Sequence, residues 1–520
     1  MLSTVHSVAI NGLQATPVLL EVNVTPCTGM REPAYIMVGL PDNAVKESRT
    51  RVKSAMQNSG LATQGGCDVA VNFAPADVKK EGSGYDLPLA VGILLSHGKL
   101  HTSGEQLQQY LFLGELGLNG DLRAVKGALL AAILARKLGY KGIFVPEENA
   151  REAAVVDQLE VYGARTLRDV VNHIEGAAAI APTVVNTREE FYAAQTVFPY
   201  DFSEVKGQET AKRAFEVAAA GGHNILLVGS PGCGKSMMAK RLPSILPPLS
   251  LAESLETTQI HSVAGKLQRN DTLITTRPFR SPHHTISDVA LIGGGATLQP
   301  GEISLAHNGI LFLDEFPEYS KTVLETLRQP LEDRQITIAR TRYTATLPCS
   351  VMLVAAMNPC PCGYYNDPTH ACSCRPGQVR KYMGRISGPL LDRIDLQIEV
   401  TPVPVKDLAA APEGEPSANI RARVMAARQR QTERFKNLPH IHCNAQMGAR
   451  EIQQFVQLDE SGQRALDMAM SRLGLSARAY ERVLKMARTI ADLAEADILT
   501  STHIAEAVSY RNLDRNSWGE

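Results

Sequence analysis

The run Ile225-Leu-Leu-Val228-Gly229-Ser-Pro-Gly-Cys-Gly234-Lys235-Ser236 limits what this chain can fold into more than any other feature. Four apolar residues of strand type lead into a G-x-x-x-x-G-K-S loop, and the helix-compatible stretch Met237–Leu242 follows directly. Gly229, Gly232 and Gly234 let backbone N–H groups curl round phosphate oxygens without a Cβ in the way, with Ser230, Pro231 and Cys233 completing the loop. Lys235 brings a cation to the β- and γ-phosphates, Ser236 brings a Mg2+ ligand, and the helix presents its positive end. Strand, loop and helix in this order predict an α/β domain that binds ATP with Mg2+. Cys233 is expected to pack rather than react.

Five further polar positions follow at strand or helix ends. The apolar run Gly309–Leu313 ends in Asp314 and Glu315. Asp314 suits Mg2+, and Glu315 suits a base that orients and polarises an attacking water. Ser350–Met357 is a second buried-type run, and it ends in Asn358, an amide able to meet the γ-phosphate. Arg393 sits between Asp392 and Asp395, where it is either a surface ion pair or a finger reaching the γ-phosphate of a neighbouring copy. Arg478 opens a helical run and can turn back towards the same nucleotide.

The remainder of the 520 residues sets the context, and at about 100–200 residues per domain the chain holds two to four domains. With 44% hydrophobic and 21% charged residues, fibrous and disordered classes are excluded. The net charge of −1 means that any nucleic-acid contact must come from a local basic surface. No apolar run approaches the roughly 18 residues of a membrane helix, and the first residues lack the pattern of a secretory signal, so a cytoplasmic protein without a membrane partner is expected. Residues 1–178 alternate strand runs (Leu19–Val24, Tyr35–Val38, Asp68–Phe73, Tyr110–Gly114, Gly142–Val145) with helical runs (Asn43–Ser59, Leu87–Ser96, Val125–Leu138), a mixed α/β pattern. Residues 179–200 read as a linker, 201–400 as the α/β segment with the chemistry, and the proline-rich 401–419 as a second linker. Residues 420–520 are helical, with runs at Ile420–Phe435, Ala449–Phe455, Glu460–Leu473, Ala477–Glu495 and Thr502–Ser509.

Three smaller patterns carry possible chemistry. Cys360, Cys362, Cys372 and Cys374 form a C-x-C, nine-residue gap, C-x-C array. This is a four-thiolate set suited to structural Zn2+, with reduced thiols, a redox switch or an Fe–S site as the alternatives and His370 as a substitute ligand. Gln335–Leu347 alternates like a hairpin and places Arg340 and Arg342 at its tip, where they either grip DNA phosphates or stay solvated. The stretch Pro278–Ser287 adds Arg280 as a DNA-contact candidate and a His283–His284 pair, whose side chains on a strand would face opposite ways and so disfavour a shared metal.

The order of phosphate loop, Asp-Glu strand, strand-end Asn, Arg and helical segment with its own Arg resembles the AAA+ ATPases. The resemblance makes Asn358 similar to sensor 1, Arg393 to the trans-acting finger and Arg478 to sensor 2, with Val205–Gln208, including Gly207 and Gln208, on the adenine side. Pro278–Ser287, the following GGGATLQPGEISLAHNG and the hairpin look like the helix-2 insert and pre-sensor hairpin of magnesium-chelatase subunits and MCM helicases. From MVGLPDNAVKESRTRVKSA to SARAYERVLKMARTIADL the chain resembles the magnesium-chelatase-like ComM/YifB family. That resemblance implies an AAA+ core, a helical lid, a homohexameric ring and a DNA helicase acting in branch migration during natural transformation. Lys79–Ser96 and Gly114–Ala150 resemble the Lon-type protease domain. The match puts Lys126 at the dyad lysine and Tyr85, with Ser83 two residues away, at the nucleophile, which implies a relic used in assembly or extra DNA contact. A metal-insertion motor and an ATP-dependent protease are the rival readings.

Overall fold

The computed structural model describes residues 2–27, 33–62, 66–195, 198–268, 271–295, 299–340, 343–403, 414–438, 440–473 and 476–511. The amino-terminal region is built on a seven-stranded mixed sheet in the order Tyr35–Val38, Cys67–Ala74, Gln14–Pro26, Leu2–Asn11, Tyr110–Phe112, Gly142–Pro146, Glu160–Ala164. Its first two strands form a hairpin with Asn11 opposite Gln14, turned at Gly12 with φ +57°. Val18, Leu20, Val22 and Val24 alternate into the core, the period-two signature of a half-buried strand. Leu2–Asn11 carries Ser3, Thr4, His6 and Ser7 among its apolar residues, and this polarity hides the strand in the sequence. The helix Asp86–Ser96 is buried all round. It lies so close to the sheet that a Cβ on Gly92 would come 2.8 Å from Val22 Cγ2.

The second region has a five-stranded parallel sheet in the order Phe279–Arg280, Ile310–Leu313, Met352–Met357, Ile225–Val228, Leu396–Glu399. Its central strands are apolar at every position because both faces are covered. The helices Ser417–Arg434, Ala449–Phe455, Glu460–Leu473, Ala477–Leu493 and Ser501–Ser509 pack onto it, with Ile420, Val424, Val483, Ala487 and Ile490 sharing one core with Phe215 of the helix Glu209–Gly221. The last of these helices is capped by Thr500. Of the proline-rich stretch, residues 404–413 lie outside the described residues, as does Arg342 of the hairpin.

The stretch read as the first linker is corrected by the structure, because it contains the helix Thr187–Ala194. Phe191 on that helix is buried in a cluster that includes Leu129 and Val161 of the amino-terminal region and Leu249 and Leu273 of the second. Glu190 takes Arg151 at 2.9 and 3.0 Å and the Thr272 hydroxyl at 3.1 Å. One buried phenylalanine gives no apolar period, so the helix left no clear mark on the sequence.

Candidate functional site

The parallel sheet decides which distant residues meet. Val228 lies opposite Met357, and Leu313 opposite Ala355, so three strands stop at one carboxyl edge. The phosphate loop, Asp314 and Asn358 therefore converge there, the place where open α/β sheets bind ligands. Gly232 and Gly234 take φ +81° and +93°, and a Cβ on Gly229 would strike the Val400 carbonyl. The glycines are thus fixed by the path of the loop itself.

Lys235 is buried, and its ammonium donates to Gly229 O at 2.6 Å, Ser230 O at 3.0 Å and Asn358 Oδ1 at 3.3 Å. The Ser236 hydroxyl donates to Asp314 Oδ2 at 2.6 Å. A hydroxyl and a carboxylate joined beside the phosphate loop form the oxygen-only donor set that Mg2+ prefers, and the N–H-lined loop with its ammonium fits a polyphosphate. Gln208 bridges the loop to the last strand, donating to Cys233 O at 3.4 Å and Thr401 O at 2.6 Å, beside Gly207 with φ +66°. Burial raises the Cys233 thiol, in keeping with a packing role.

Glu315 occupies the left-handed region at φ +51°, and its carboxylate lies 2.9 Å from His284 Nδ1. The segment that carries His284 is pinned by the Tyr319 hydroxyl, which donates to Pro282 O at 2.6 Å. This His284–Glu315 pair had no counterpart in the sequence reading. The two histidines do not face opposite ways, because they lie at a turn with their ring centroids 4.1 Å apart. Arg280 is committed to Glu302 through bonds of 2.6 and 2.8 Å.

Arg393 lies elsewhere. It precedes the strand Leu396–Glu399, which runs parallel to Ile225–Val228 with Leu396 opposite Ile225. Its carbonyl accepts from the Asn224 amide at 2.9 Å, just before the phosphate-loop strand begins. Arg393 is therefore at the amino edge of the sheet and Lys235 at the carboxyl edge. The Arg393 guanidinium bonds Pro389 O at 2.7 Å and pairs with Glu332. Arg478 is exposed and lies 3.9 Å from Asp392, one residue from Arg393, and among the described residues no contact joins it to the phosphate loop. The next-but-one residue, Asp395, is buried among Arg482, His223 and the Asn224 amide (3.0 Å), and so ties the Arg393 segment to the helical region. Burial would raise its carboxyl, but Arg482 and His223 outweigh burial and hold it far below the usual range.

The hairpin is present as Gln335–Arg340 and Tyr343–Pro348, with Arg340 opposite Tyr343. Ile336, Ile338 and Leu347 bury one face of the ribbon. The four cysteines also gather. Sγ separations are 3.3 Å (Cys360–Cys362), 3.7 Å (Cys360–Cys372) and 3.5 Å (Cys362–Cys372), and all four lie within 4.8 Å. A tetrahedral Zn2+ with Zn–S near 2.3 Å needs sulfurs about 3.8 Å apart, so the set fits. Burial raises the Cys362 thiol, but N–H donors from Tyr364 and Ser373 and the neighbouring thiols pull it down to about 5. His370 is exposed and turned to Thr369 Oγ1 at 2.9 Å, outside the sulfur cage.

The chain is 44% identical to "Uncharacterized protein YifB" of Salmonella typhimurium over 99% of its own length and 98% of the relative's. It is 41% identical to "Competence protein ComM" of Haemophilus influenzae over the same shares. It belongs to the magnesium-chelatase-like ComM/YifB family. Family models described as "Magnesium chelatase, subunit ChlI" and "Magnesium chelatase, subunit ChlI C-terminal" match residues 201–408 and 414–511. A model described as "Subunit ChlI of Mg-chelatase" matches residues 21–149. A remoter likeness, 26% identity over 43% of this chain and 32% of the relative, joins it to "Probable DNA helicase MCM9" of rice. As a ComM/YifB protein it is a magnesium-chelatase-like AAA+ ATPase that uses ATP and Mg2+. No described helix is long and apolar enough to cross a membrane.

In this ComM/YifB chain the amino-terminal residues singled out as a protease-like set are engaged otherwise. Tyr85 is buried edge-on to Phe73, and burial raises its phenol further. The Ser83 hydroxyl is bound by Glu115. Lys126 faces the ATPase region, packing on Gly265 and donating to Gln299 Oε1 at 3.4 Å. Among the described residues no hydrogen bond joins Lys126 to Ser83 or Tyr85. The neighbouring Gly127 amide donates to Ser262 O at 3.2 Å, and the buried Glu152 takes the Ser262 hydroxyl, so this surface is a docking face between the two regions.

Proposed function

We propose that the chain is an ATP-driven DNA translocase that assembles as a homohexameric ring and promotes branch migration of recombining strands in natural transformation. The observation that carries this reading is the separation of Lys235 and Arg393 on opposite edges of one parallel sheet. A finger that lies a full strand length from its own phosphate loop serves a site on the next copy, and a head-to-tail contact of this kind closes into a ring. Lys235 neutralises the β- and γ-phosphates, Ser236 and Asp314 hold Mg2+, and Asn358 positions the γ-phosphate. Glu315 orients the water, released to do so from His284. The neighbour's Arg393 meets the charge that develops in the transition state, and Arg478 works from the same side. Mg2+ supplies charge neutralisation across the phosphates when bound.

The hairpin supports DNA as the substrate, since two arginines at the tip of a ribbon packed on one face can enter a ring's central hole and follow phosphates without reading bases. The names of the Haemophilus and rice relatives point the same way. The cysteine cage holds Zn2+ as a structural ion in this reading. The match of residues 21–149 to a chelatase-subunit model means that a fused amino-terminal region does not by itself separate a DNA motor from a metal-insertion motor. Titration of single-stranded, duplex and forked DNA into the full chain, followed by ATP turnover and strand displacement, separates them. DNA-stimulated turnover with displacement is expected. Turnover indifferent to every DNA would remove the reading.

A further inference from the structure

The segment between the two cysteine pairs leans on the phosphate loop. Gly363 has φ +89°, and a Cβ there would come 2.7 Å from Pro231 Cδ. Four residues on, the Asp367 carboxyl lies beside the Ser230 hydroxyl, which helps to hold it below the usual carboxylate range. The Asp367 side chain is only 2% exposed, and it accepts from Thr369 N at 2.8 Å, Thr369 Oγ1 at 2.7 Å and His370 N at 3.0 Å. Ser230 and Pro231 are the first two residues of the Ser230–Cys233 turn of the phosphate loop, and Ser230 O is one of the carbonyls that orient the Lys235 ammonium.

The excursion Gly363–Ala371 stays outside the hydrophobic cores. Its sequence, GYYNDPTHA, contains no aliphatic core residue larger than alanine. None of its side chains joins the hydrophobic clusters, whereas Cys360 at its root is fully buried. What fixes the far end is the return of Cys372 and Cys374 to Cys360 and Cys362, where the Cys362 amide also meets Cys374 Sγ at 3.3 Å. Four thiolates at such separations repel one another unless a cation joins them. Closing this loop on a metal restricts its ends, and the loop then presents Gly363 and Asp367 to the phosphate loop in one position.

We infer that the four-cysteine cage is a brace for the phosphate loop, so that occupancy by a thiolate-seeking divalent metal sets the affinity for nucleotide. The inference rests on the Zn2+ reading of the cage and goes beyond a structural ion: the cage is an effector site acting on the ATP site through Asp367–Ser230 and Gly363–Pro231. Metal and nucleotide are then linked reciprocally, each tightening the other's binding.

The test uses the full chain as purified, with metal content measured by plasma mass spectrometry and nucleotide affinity by titration of a fluorescent ATP analogue. Asp367→Ala removes the contact and leaves all four thiols. It is expected to keep its Zn2+ and to bind nucleotide about ten-fold more weakly, the size of one lost polar contact with a charged group. Cys372→Ser with Cys374→Ser is expected to lose the metal and at least as much affinity, and adding Asp367→Ala to it should cost nothing more. Because the serine variant could fail to fold, wild-type protein is also stripped with a chelator and reloaded with Zn2+. Affinity should fall and return, with the far-ultraviolet circular dichroism unchanged. Unaltered nucleotide affinity in stripped protein, or in Asp367→Ala that retains its metal, overturns the brace and leaves the metal reading standing. Wild-type protein that carries no metal, and takes up none when offered Zn2+, overturns the metal reading and the brace with it.

Discussion

If each ATP site is shared, two dead variants should revive each other. Lys235→Ala removes the only ammonium in the phosphate loop, and Arg393→Ala removes the guanidinium at the other edge. The strands Leu396–Glu399 and Ile225–Val228 are in register over four residues, a separation along the sheet of about 13 Å. That exceeds the length of an arginine side chain, and Arg393 is moreover turned towards Glu332 and Pro389. A finger in trans is worth roughly 10³–10⁵ in kcat, so each variant alone should show turnover near zero. In rings assembled at random from equal amounts, a seam works when one side brings Lys235 and the other brings Arg393. Half times half gives about one quarter of the seams intact, and so about one quarter of wild-type turnover if seams act independently. A mixture of one part wild type with three parts Arg393→Ala contains the same fraction of intact seams and is the control for coordination around the ring. The measurement is steady-state phosphate release per chain after mixing and reassembly. Wild-type turnover by Arg393→Ala alone would refute the argument, as would a two-variant mixture that stays dead while the control is active.

Three other outcomes are expected. Glu315→Gln should keep nucleotide binding and lose about 10²–10⁴ in hydrolysis, because it removes the base and leaves the phosphate contacts; parallel losses in binding and turnover would speak against that role. Arg340→Ala with Arg342→Ala should weaken DNA binding and lower the slope of log K against log salt by about 2, and an unchanged slope takes the hairpin off the DNA path. Asp395→Asn should cost roughly 3–5 kcal/mol at pH 7, since it leaves the half-buried Arg482 without its carboxylate. The folded Asp395 carboxyl is held below its unfolded value, so its contribution is complete above pH about 4 and is lost as the pH falls further. The stability gap between wild type and variant should therefore be smaller at pH 3 than at pH 7, and an equal gap at both would exclude the pair as the cause.

The sequence by itself determined the elements whose signal is local. The phosphate loop is legible because its glycines, lysine and serine act through backbone geometry within eight residues, Gly229 to Ser236. The helices Ala449–Phe455 and Glu460–Leu473 have the bounds their apolar period predicts, and Tyr35–Val38 likewise, since periodicity and caps are properties of neighbouring residues. The four-cysteine array was visible as spacing. Tertiary structure alone decided what each polar group faces. Sheet order brought Asp314 and Asn358 to Lys235 and sent Arg393 to the far edge; it also paired Arg280 with Glu302 and set His284 on Glu315. Packing between regions made a helix of the stretch around Phe191, turned Lys126 towards Gln299, and laid the cysteine loop on Pro231 and Ser230. The physical reason is the same in each case. A charge or a lone apolar side chain carries no period, and its partner is set by which surfaces the strand order and the cores press together.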